Sequence, residues 1–488
     1  MNHLINNRLL YHPLSWVLFY LTIHFLVRVG FSQTLQVDDA EQIHHAQQLA
    51  LGYPIPQPPL YSWISWGLFQ LLGTGLFALT LLKYSLIALT FWFTWLVSGY
   101  LFIHIQTRWL ATGAYLLMPS FAWHMHQGFT HTILLGFAII LTLHALLRFH
   151  HTQSNFNILY LGTTIAIGLM AKYSFLLFIV LLALAALTIP SFRKPLLTRQ
   201  GLLLFIPLTL LTLPHLGWLL EHQQEVFNAI DNKLKVSSEH LLLERLDSLR
   251  QFTVAAIAFV TPFSLLYLLI ARKRLLPSKE AKNLPDTHQL LNRFYLLLIT
   301  ITVLLALFIS MPHFKVRWFH PLMMIFPLWM LAWIEREEPF SQTKIRWIAG
   351  LTLLITLLIL GIRLLQVTIG PEIGKYGRLN RPIVESLEQL PDHLKQQSVL
   401  ITTDHFLAAH LLSHYPQHAI VFNQEIFHID QLSRSKQCLY LWDDDTLLEP
   451  PILAGVDKQG TLKTKVGPIV YTLSYARSDR ESCPPFMR

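Results

Sequence analysis

Two adjacent carboxylates, Asp38 and Asp39, have the residue type and the position needed for acid–base chemistry. They follow the first apolar segment of the chain and begin a polar stretch that ends near residue 51. Carboxylates beside a membrane are costly to bury, so they usually face water, a cation or a substrate. Such a carboxylate could take the proton of an incoming hydroxyl or amine. A simpler interpretation, compatible with the first, is that Asp38 caps a helix over residues 39–51, because Asp is a favoured N-cap residue.

A proline-rich stretch follows the acids, and from Gly52 to Trp63 it runs G-Y-P-I-P-Q-P-P-L-Y-S-W. The proline pair at 58–59 breaks an entering helix and suits the first turn of the next one, which predicts a helix over residues 60–72. The Trp, Tyr, Phe and Leu residues of that helix are typical of a segment lying along a membrane surface. An amphipathic, lipid-borne substrate would dock at that height, beside the acidic pair.

Three basic residues have positions from which they could contact a phosphate. Lys172 lies between two apolar runs, and Lys315 and Arg317 lie just before a late apolar segment. Arg317 is the better candidate of the late pair, since a guanidinium can hold phosphate through two parallel hydrogen bonds. The alternative interpretation is that all three anchor the chain at the membrane interface, as long basic side chains often do.

Histidines are numerous, and His126, His131 and His320 lie close to the predicted outer surface. A metal site needs convergent ligands and an open coordination position, which sequence spacing does not establish. We therefore expect these imidazoles to pack or to contact the acceptor, and we predict no metal ligands. The acidic run 443–445 follows a predicted strand and is interpreted as a solvated turn.

The elements that position these residues are mainly membrane helices. The chain has 488 residues, of which 53% are hydrophobic and only 13% are charged. Apolar runs of about 20 residues are long enough to cross a bilayer, and we predict about eleven of them. They cover residues 14–31, 76–103, 109–124, 130–147, 156–171, 173–190, 201–220, 251–270, 294–310, 318–334 and 347–366. The net charge of +9 is spread between spans rather than along a stripe, which argues against nucleic acid as a partner.

The basic residues between spans fall on one side of this arrangement, which predicts a cytoplasmic N-terminus and an outer C-terminal tail. We predict a membrane domain over residues 1–369, whose first outer loop, 32–75, carries the site. Residues 370–488 alternate strand-like runs with a helical stretch, which predicts a small extracytoplasmic α/β domain. Cys438 and Cys483 both lie in this tail, and a single bridge could form there in an oxidising compartment.

The motifs and their order resemble the bacterial relatives of the protein O-mannosyltransferases and lipid A aminoarabinose transferases, within the GT-C superfamily. The acidic pair with G-Y-x(3)-Q-P-P-L-Y-x-W carries the first part of the resemblance. The stretch G-L-M-A-K-Y at residues 168–173 and K-V-R-W-F-H-P-L at residues 315–322 carry the rest. Together with the span pattern, the resemblance covers residues 10–366.

The resemblance implies a role for each matching residue. Asp38 would be the catalytic base and Asp39, in place of the family's usual Glu, its partner. Lys172 and Arg317, with Lys315, would bind the donor phosphate, while Gln57, Tyr61 and Tyr173 would line the donor pocket. Several family members have an acidic residue and a Lys before the proline pair. Gln57 binds divalent ions poorly, so we expect no required cofactor, although a divalent metal stays open.

The function implied is an inverting transfer of a sugar from a polyprenyl-phosphate donor to a lipid, glycan or protein acceptor. It would take place at the outer face of the bacterial inner membrane. Three alternatives stay open: a transporter or flippase, another lipid-carrier enzyme such as an O-antigen ligase, and an inactive scaffold. A transporter would be expected to show broken helices at matching points of two halves. A ligase would carry its key loop late in the chain rather than directly after the first span.

Overall fold

The computed structural model of the protein describes residues 13–55, 57–224, 241–271, 284–308, 319–335, 339–373, 377–423, 425–443, 459–479 and 483. The chain forms two compact units. The first unit contains Met1–Leu21, Ala50–Tyr61 and Ser85–Leu358, and the second contains Thr22–Leu49, Ser62–Tyr84 and Ile359–Arg488. The predicted boundary between residues 369 and 370 therefore lies inside the second unit. The acidic pair belongs to the same unit as the C-terminal tail.

Helices account for most of the chain before residue 400. In order they are α1 (Pro13–Phe31), α2 (Val37–His45), α3 (Leu60–Leu72), α4 (Leu76–Leu101), α5 (Ile105–Gly113), α6 (Pro119–Ala122), α7 (His131–His151), α8 (Asn155–Ala171), α9 (Phe175–Leu187), α10 (Pro190–Leu196), α11 (Phe205–Glu221), α12 (Leu241–Val260), α13 (Phe263–Ala271), α14 (Asp286–Phe308), α15 (His320–Met323), α16 (Phe326–Ile334), α17 (Gln342–Thr368), α18 (Gly377–Asn380), α19 (Ile383–Glu388), α20 (Asp392–Lys395) and, within the tail, α21 (His405–His414). The predicted helix over residues 60–72 is confirmed, and it starts directly after the proline pair.

Among the described residues, five helical segments are long and apolar enough to cross a membrane on their own. They are α1, α4, α7, the run Gly201–Glu221 and α17. Two further pairs, bent by 107° and 68°, raise the number to seven if each pair is one span. The apolar helical character predicted from sequence is confirmed, and the count of about eleven spans stays a prediction.

The predicted span over residues 109–124 is not one helix. Helix α5 ends at Gly113, a 3-10 turn covers Ala114–Leu117, and α6 begins at Pro119. Proline lacks the N–H group that an interior helical position would use, and it fits the first turn of a helix instead. Uncharged length alone therefore overestimates helical continuity in this segment.

The tail contains one six-stranded mixed sheet. Its strands are β1 (Ser398–Thr402), β2 (Ile420–Phe422), β3 (Glu425–Phe427), β4 (Gln437–Asp443), β5 (Gly460–Val466) and β6 (Ile469–Asp479). The order across the sheet is β3-β2-β1-β4-β6-β5, with β1 parallel to both β2 and β4. A disulfide joins Cys438 to Cys483, 45 residues apart. The α/β character predicted for the tail is confirmed.

The interpretation of residues 443–445 as a solvated turn is wrong for Asp443. Strand β4 extends to this residue, whose side chain is buried and forms an ion pair with Arg381. The guanidinium of Arg381 also lies over the ring of Tyr471, 4.9 Å from its centroid. Asp444 and Asp445 lie outside the described residues.

The second unit has a core shared by α2, α3, the start of α4 and the tail. Its buried members include Leu35, Ala40, Ile43, Phe69, Leu79, Leu387, Leu400 and Leu411. Helix α2 packs against α21 in this core. The helix that carries the acidic pair is therefore built into the same apolar core as the C-terminal sheet.

Candidate active site

Helix α2 presents the acidic pair in its first turn. The helix begins after Gln36, whose carbonyl accepts a 2.8 Å hydrogen bond from the N–H of Ala40. Asp38 therefore lies inside the helix, and the interpretation of Asp38 as its N-cap is wrong. Asp39 has the capping contact instead, because its Oδ2 accepts a 3.3 Å hydrogen bond from the N–H of Gln36. The helix ends at His45, earlier than the predicted residue 51.

Asp39 is enclosed between two cations. Its side chain is 2% exposed, with Oδ2 3.3 Å from Nη2 of Arg28 and Oδ1 3.6 Å from Nζ of Lys83. Burial by itself raises the pKa of Asp39, but the charges of Lys83 and Arg28 and the hydrogen bond from Gln36 outweigh it, so the pKa is lowered. Asp39 is thus a charged, buried counter-ion.

Arg28 connects this ion pair to the chain segment before α2. Its guanidinium donates to the carbonyl of Ser32 at 3.2 Å and to that of Thr34 at 2.8 Å. An arginine at the end of α1 thereby holds both the backbone leading into α2 and the carboxylate of Asp39. Deleting either side of such a buried pair leaves an uncompensated charge.

Asp38 differs from its neighbour in exposure. It is half-buried, whereas Asp39 is buried. Since Asp39 is enclosed by Arg28 and Lys83, Asp38 is the carboxylate of the pair with surface available to a substrate. The two carboxylates therefore differ in burial, and both lie within electrostatic range of Lys83.

Sequence reasoning missed three buried cations of the second unit: Arg28, Lys83 and Arg363. Lys83 is 4% exposed, and Arg363, 5% exposed, lies within electrostatic range of it and donates to Oε1 of Gln366 at 2.9 Å. Each lies in a helix that is otherwise apolar enough to span a membrane. Ionisable residues inside such segments usually face partners rather than lipid, and that signal could have identified them.

The first unit brings together three of the six residues predicted to bind the donor: Tyr61, Lys172 and Tyr173. Helix α8 ends at Ala171, and Nζ of Lys172 donates to Oγ1 of Thr132 at 2.8 Å. The carbonyl of Ala171 is 3.3 Å from Nδ1 of His131, whose ring lies 5.4 Å from that of Tyr61. The end of α8, the start of α7 and the start of α3 are joined through these contacts.

Tyr173 connects this cluster, through His215, to the segment that begins the proline-rich stretch at Gly52. Nδ1 of His215 is 2.8 Å from the carbonyl of Leu51 and must carry the proton, so Nε2 accepts from the hydroxyl of Tyr173 at 3.1 Å. One turn along α11, Trp218 packs on Gly52. A Cβ at Gly52 would lie 2.1 Å from Cε3 of Trp218, so no larger residue fits there without a shift.

The remaining candidates of the first unit have varied surroundings. Oε1 of Gln57 is buried with no hydrogen-bond donor among the described residues. Nε2 of His126 lies 3.2 Å from the hydroxyl of Tyr20. His320 is buried with its ring 5.0 Å from that of Phe259, which favours packing over acceptor contact.

The acidic pair lies in the second unit, and Lys172 and Tyr173 lie in the first. Lys315 and Arg317 lie outside the described residues. Over the part of the chain that the structure describes, no group of three or more His, Cys, Asp or Glu side chains could hold a metal ion.

Comparisons with known proteins bear on this site. A family model described as dolichyl-phosphate-mannose-protein mannosyltransferase matches residues 56–218. Two proteins of Rhizobium johnstonii (strain DSM 114642 / LMG 32736 / 3841) are similar in sequence, both named lipopolysaccharide core galacturonosyltransferase. RgtB is 27% identical over 409 residues, 83% of this chain and 82% of that protein. RgtA is 24% identical over 406 residues, 82% of this chain and 80% of that protein.

The fold is similar to that of a solved structure. ArnT from Cupriavidus metallidurans, bound to undecaprenyl phosphate, aligns with a TM-score of 0.61 and 12% identity over 96% of this chain and 99% of that chain. Its apo form aligns with a TM-score of 0.54 and 13% identity over the same shares. The similarity in fold thus extends over nearly the whole of both chains.

Proposed function

We propose that this chain, a bacterial-type glycosyltransferase with the GT-C fold, moves a sugar from a polyprenyl-phosphate carrier to an acceptor at the outer face of the inner membrane. The observation that carries the proposal is the divided acidic pair on α2. Asp39 is enclosed by Arg28 and Lys83, while Asp38 retains exposed surface beside it. A rigid helix thus offers one carboxylate to an incoming nucleophile.

The chemistry requires little more than such a base. An acceptor hydroxyl gives its proton to Asp38, and its oxygen attacks the anomeric carbon of the sugar. The bond to the carrier phosphate breaks, and the phosphate leaves with the electron pair. Because the phosphate is a good leaving group without protonation, a single base with aligned reactants suffices, and the configuration at the anomeric carbon inverts.

Asp39 supports this reaction without touching the reacting atoms. Its contacts with Arg28, Lys83 and the N–H of Gln36 fix the first turn of α2. Preorganised groups lower a barrier because no reorganisation is needed when the charge moves. Asp39 is in this proposal the partner that holds Asp38 in place.

Donor binding is assigned to the first unit. Lys172 and Tyr173 would meet the departing phosphate, with Lys315 and Arg317 as further cations, and Tyr61 would line the pocket. Gln57 would accept a hydrogen bond from a sugar hydroxyl, since its buried Oε1 has no donor among the described residues. In this proposal these cations balance the phosphate charge without a metal.

The relatives suggest where to look for the product. The two curated relatives are named for transfer of galacturonic acid to lipopolysaccharide core, and ArnT was solved with undecaprenyl phosphate. We therefore propose an undecaprenyl-type carrier, a uronic acid as the sugar, and a lipopolysaccharide core glycan as the acceptor.

The test compares lipopolysaccharide from the source bacterium with that from a deletion strain and a complemented strain, by mass spectrometry. We expect the deletion product to be lighter by one hexuronic acid residue, and complementation to restore it. A loss equal to a different sugar would replace the uronic acid while keeping the reaction class. Unchanged lipopolysaccharide, with unchanged glycolipids and glycoproteins, would favour a transporter or a scaffold.

A further inference from the structure

The segment between α1 and α2, residues 32–36, is held by the C-terminal part of the chain. We call this segment the connector. The hydroxyl of Ser32 donates to the carbonyl of Leu379, and that of Thr34 donates to the carbonyl of Arg381 at 2.9 Å. The N–H of Leu35 donates to Nε2 of His410 at 3.3 Å. Each contact crosses more than 340 residues of sequence within the second unit.

His410 can make its contact in only one protonation form. Its Nδ1 lies 2.7 Å from the carbonyl of Phe406, which can only accept, so Nδ1 carries the proton. Its Nε2 faces the N–H of Leu35, which can only donate, so Nε2 is unprotonated. The neutral Nδ1–H tautomer satisfies both partners, and burial keeps the ring neutral by lowering its pKa to about 4.

The surroundings of His410 leave it no contact with solvent. The side chain is 0% exposed and belongs to α21, which packs against α2. A buried imidazole acceptor on a backbone N–H is costly to remove, because the donor then loses its partner away from water. The contact therefore fixes the connector at Leu35 more firmly than an exposed hydrogen bond would.

The connector leads directly into the acidic pair. Leu35 precedes Gln36, whose N–H donates to Oδ2 of Asp39 and whose carbonyl accepts from Ala40. From the other side, Arg28 holds the carbonyls of Ser32 and Thr34. The backbone that sets the start of α2, and with it the direction of Asp38, is thus clamped between Arg28 and the tail.

We infer that His410 is a positioning residue for the transfer reaction, and that the tail segment 379–410 is part of the catalytic apparatus through its hold on the connector. This inference rests on the proposed function, since Asp38 must be the base for its position to matter. His410 touches neither substrate nor reacting atoms. It sets where α2 begins.

The test uses full-length protein in liposomes with four variants at matched abundance: two at His410, Thr34→Val and a control. His410→Leu keeps the volume and removes the acceptor, whereas His410→Gln places an amide oxygen near the position of Nε2. Arg434→Leu introduces leucine at an exposed position of the tail outside the segment 379–410 and serves as the control. The turnover number and the KM for donor are measured with a polyprenyl-phosphate sugar and purified lipopolysaccharide, and hydrogen exchange is followed in the peptide spanning residues 32–45.

We expect kcat of His410→Leu to fall about ten- to a hundredfold, because small misplacements of a catalytic group cost rate, while KM for donor stays within about twofold. Exchange in residues 32–45 should accelerate while the sheet strands β1 and β4 keep their protection. His410→Gln should recover most of the rate, and Arg434→Leu should behave as wild type. Thr34→Val removes the hydroxyl that donates to the carbonyl of Arg381, and it should show a smaller loss of kcat.

Two results would overturn the inference: unchanged kcat and unchanged exchange in His410→Leu, or faster exchange in the connector without any loss of rate. If the strands of the sheet also lose their exchange protection in His410→Leu, the results for His410→Gln and Thr34→Val are used instead. A wild-type rate and wild-type exchange in Thr34→Val would then contradict the inference. A wild type that transfers no sugar from this donor to lipopolysaccharide would contradict the proposed donor and acceptor. The exchange pattern would still tell whether His410 holds the connector.

Discussion

At the scale of single residues, the two acids of α2 have separate tasks because their surroundings differ. The sequence places both carboxylates correctly after the first apolar segment, but it does not distinguish them. The distinction comes from Arg28 and Lys83, which are 11 residues before and 44 residues after Asp39 in the chain and meet it only in the folded protein. A positive charge inside an apolar helix indicates that a partner exists but does not identify it. The contacts of Asp39 could therefore be found only in the structure.

A double-mutant cycle tests the ion pair at this scale. We expect Lys83→Met to destabilise the protein by about 3–5 kcal/mol, because it leaves the charge of Asp39 buried with one partner fewer. Asp39→Asn alone takes the shared carboxylate from both Arg28 and Lys83, so the double variant, which also lacks Lys83, should lose less stability than the sum of the two single losses. The measurement is thermal unfolding in detergent for the wild type, both single variants and the double variant. Additive losses would show that Asp39 and Lys83 are not coupled.

At the scale of elements, local sequence signals succeed where a single residue type decides. The proline pair fixes the start of α3 at Leu60, and the alternation of strand-like runs with a helical stretch predicts the α/β character of the tail. The same reasoning fails over residues 109–124. The length of the apolar run there predicts one helix, whereas the chain breaks before Pro119. It also fails for Asp443, because burial against Arg381 depends on a segment 62 residues away in the chain.

The proline-rich stretch offers a matched pair of glycines for a second prediction. A Cβ at Gly52 would lie 2.1 Å from Cε3 of Trp218, whereas a Cβ at Gly67 in α3 would have nothing within 4 Å. We expect Gly52→Ala to lower the midpoint of thermal unfolding and the transfer rate, and Gly67→Ala to be neutral or stabilising. Equal effects of the two substitutions would contradict the packing of Gly52 against Trp218.

At the scale of the whole molecule, the disulfide bears on which compartment the tail faces. Cys438 in β4 and Cys483, beyond the end of β6, are buried in one apolar cluster and joined to each other. Such bridges persist in oxidising compartments and are rare in the cytosol, which agrees with the outer location predicted for the tail from the distribution of basic residues. The resemblance to the GT-C superfamily predicted the fold of the membrane part. The tail's role in holding α2 was not predicted, because it depends on contacts across more than 340 residues.

Thiol labelling tests this placement. We expect a maleimide reagent to label neither cysteine in unfolded protein prepared from cells without reductant, and to label both after reduction. Cys483→Ser should cost about 2–4 kcal/mol of stability in the second unit, because the unfolded chain loses its cross-link. Labelling of both thiols before reduction would place the tail in a reducing compartment.

The most direct test of the central claim is the product made by Asp38→Asn. Asparagine keeps the shape of the side chain but cannot accept the proton, so we expect normal protein abundance and loss of the transferred sugar from the acceptor. Asp430→Asn, at an exposed position of the tail, is the matched control and should give the wild-type product. The measurement is mass spectrometry of lipopolysaccharide and other envelope glycans from strains carrying each variant. Wild-type product from Asp38→Asn would contradict the assignment of Asp38 as the base, and with it the division of tasks between the two acids of α2.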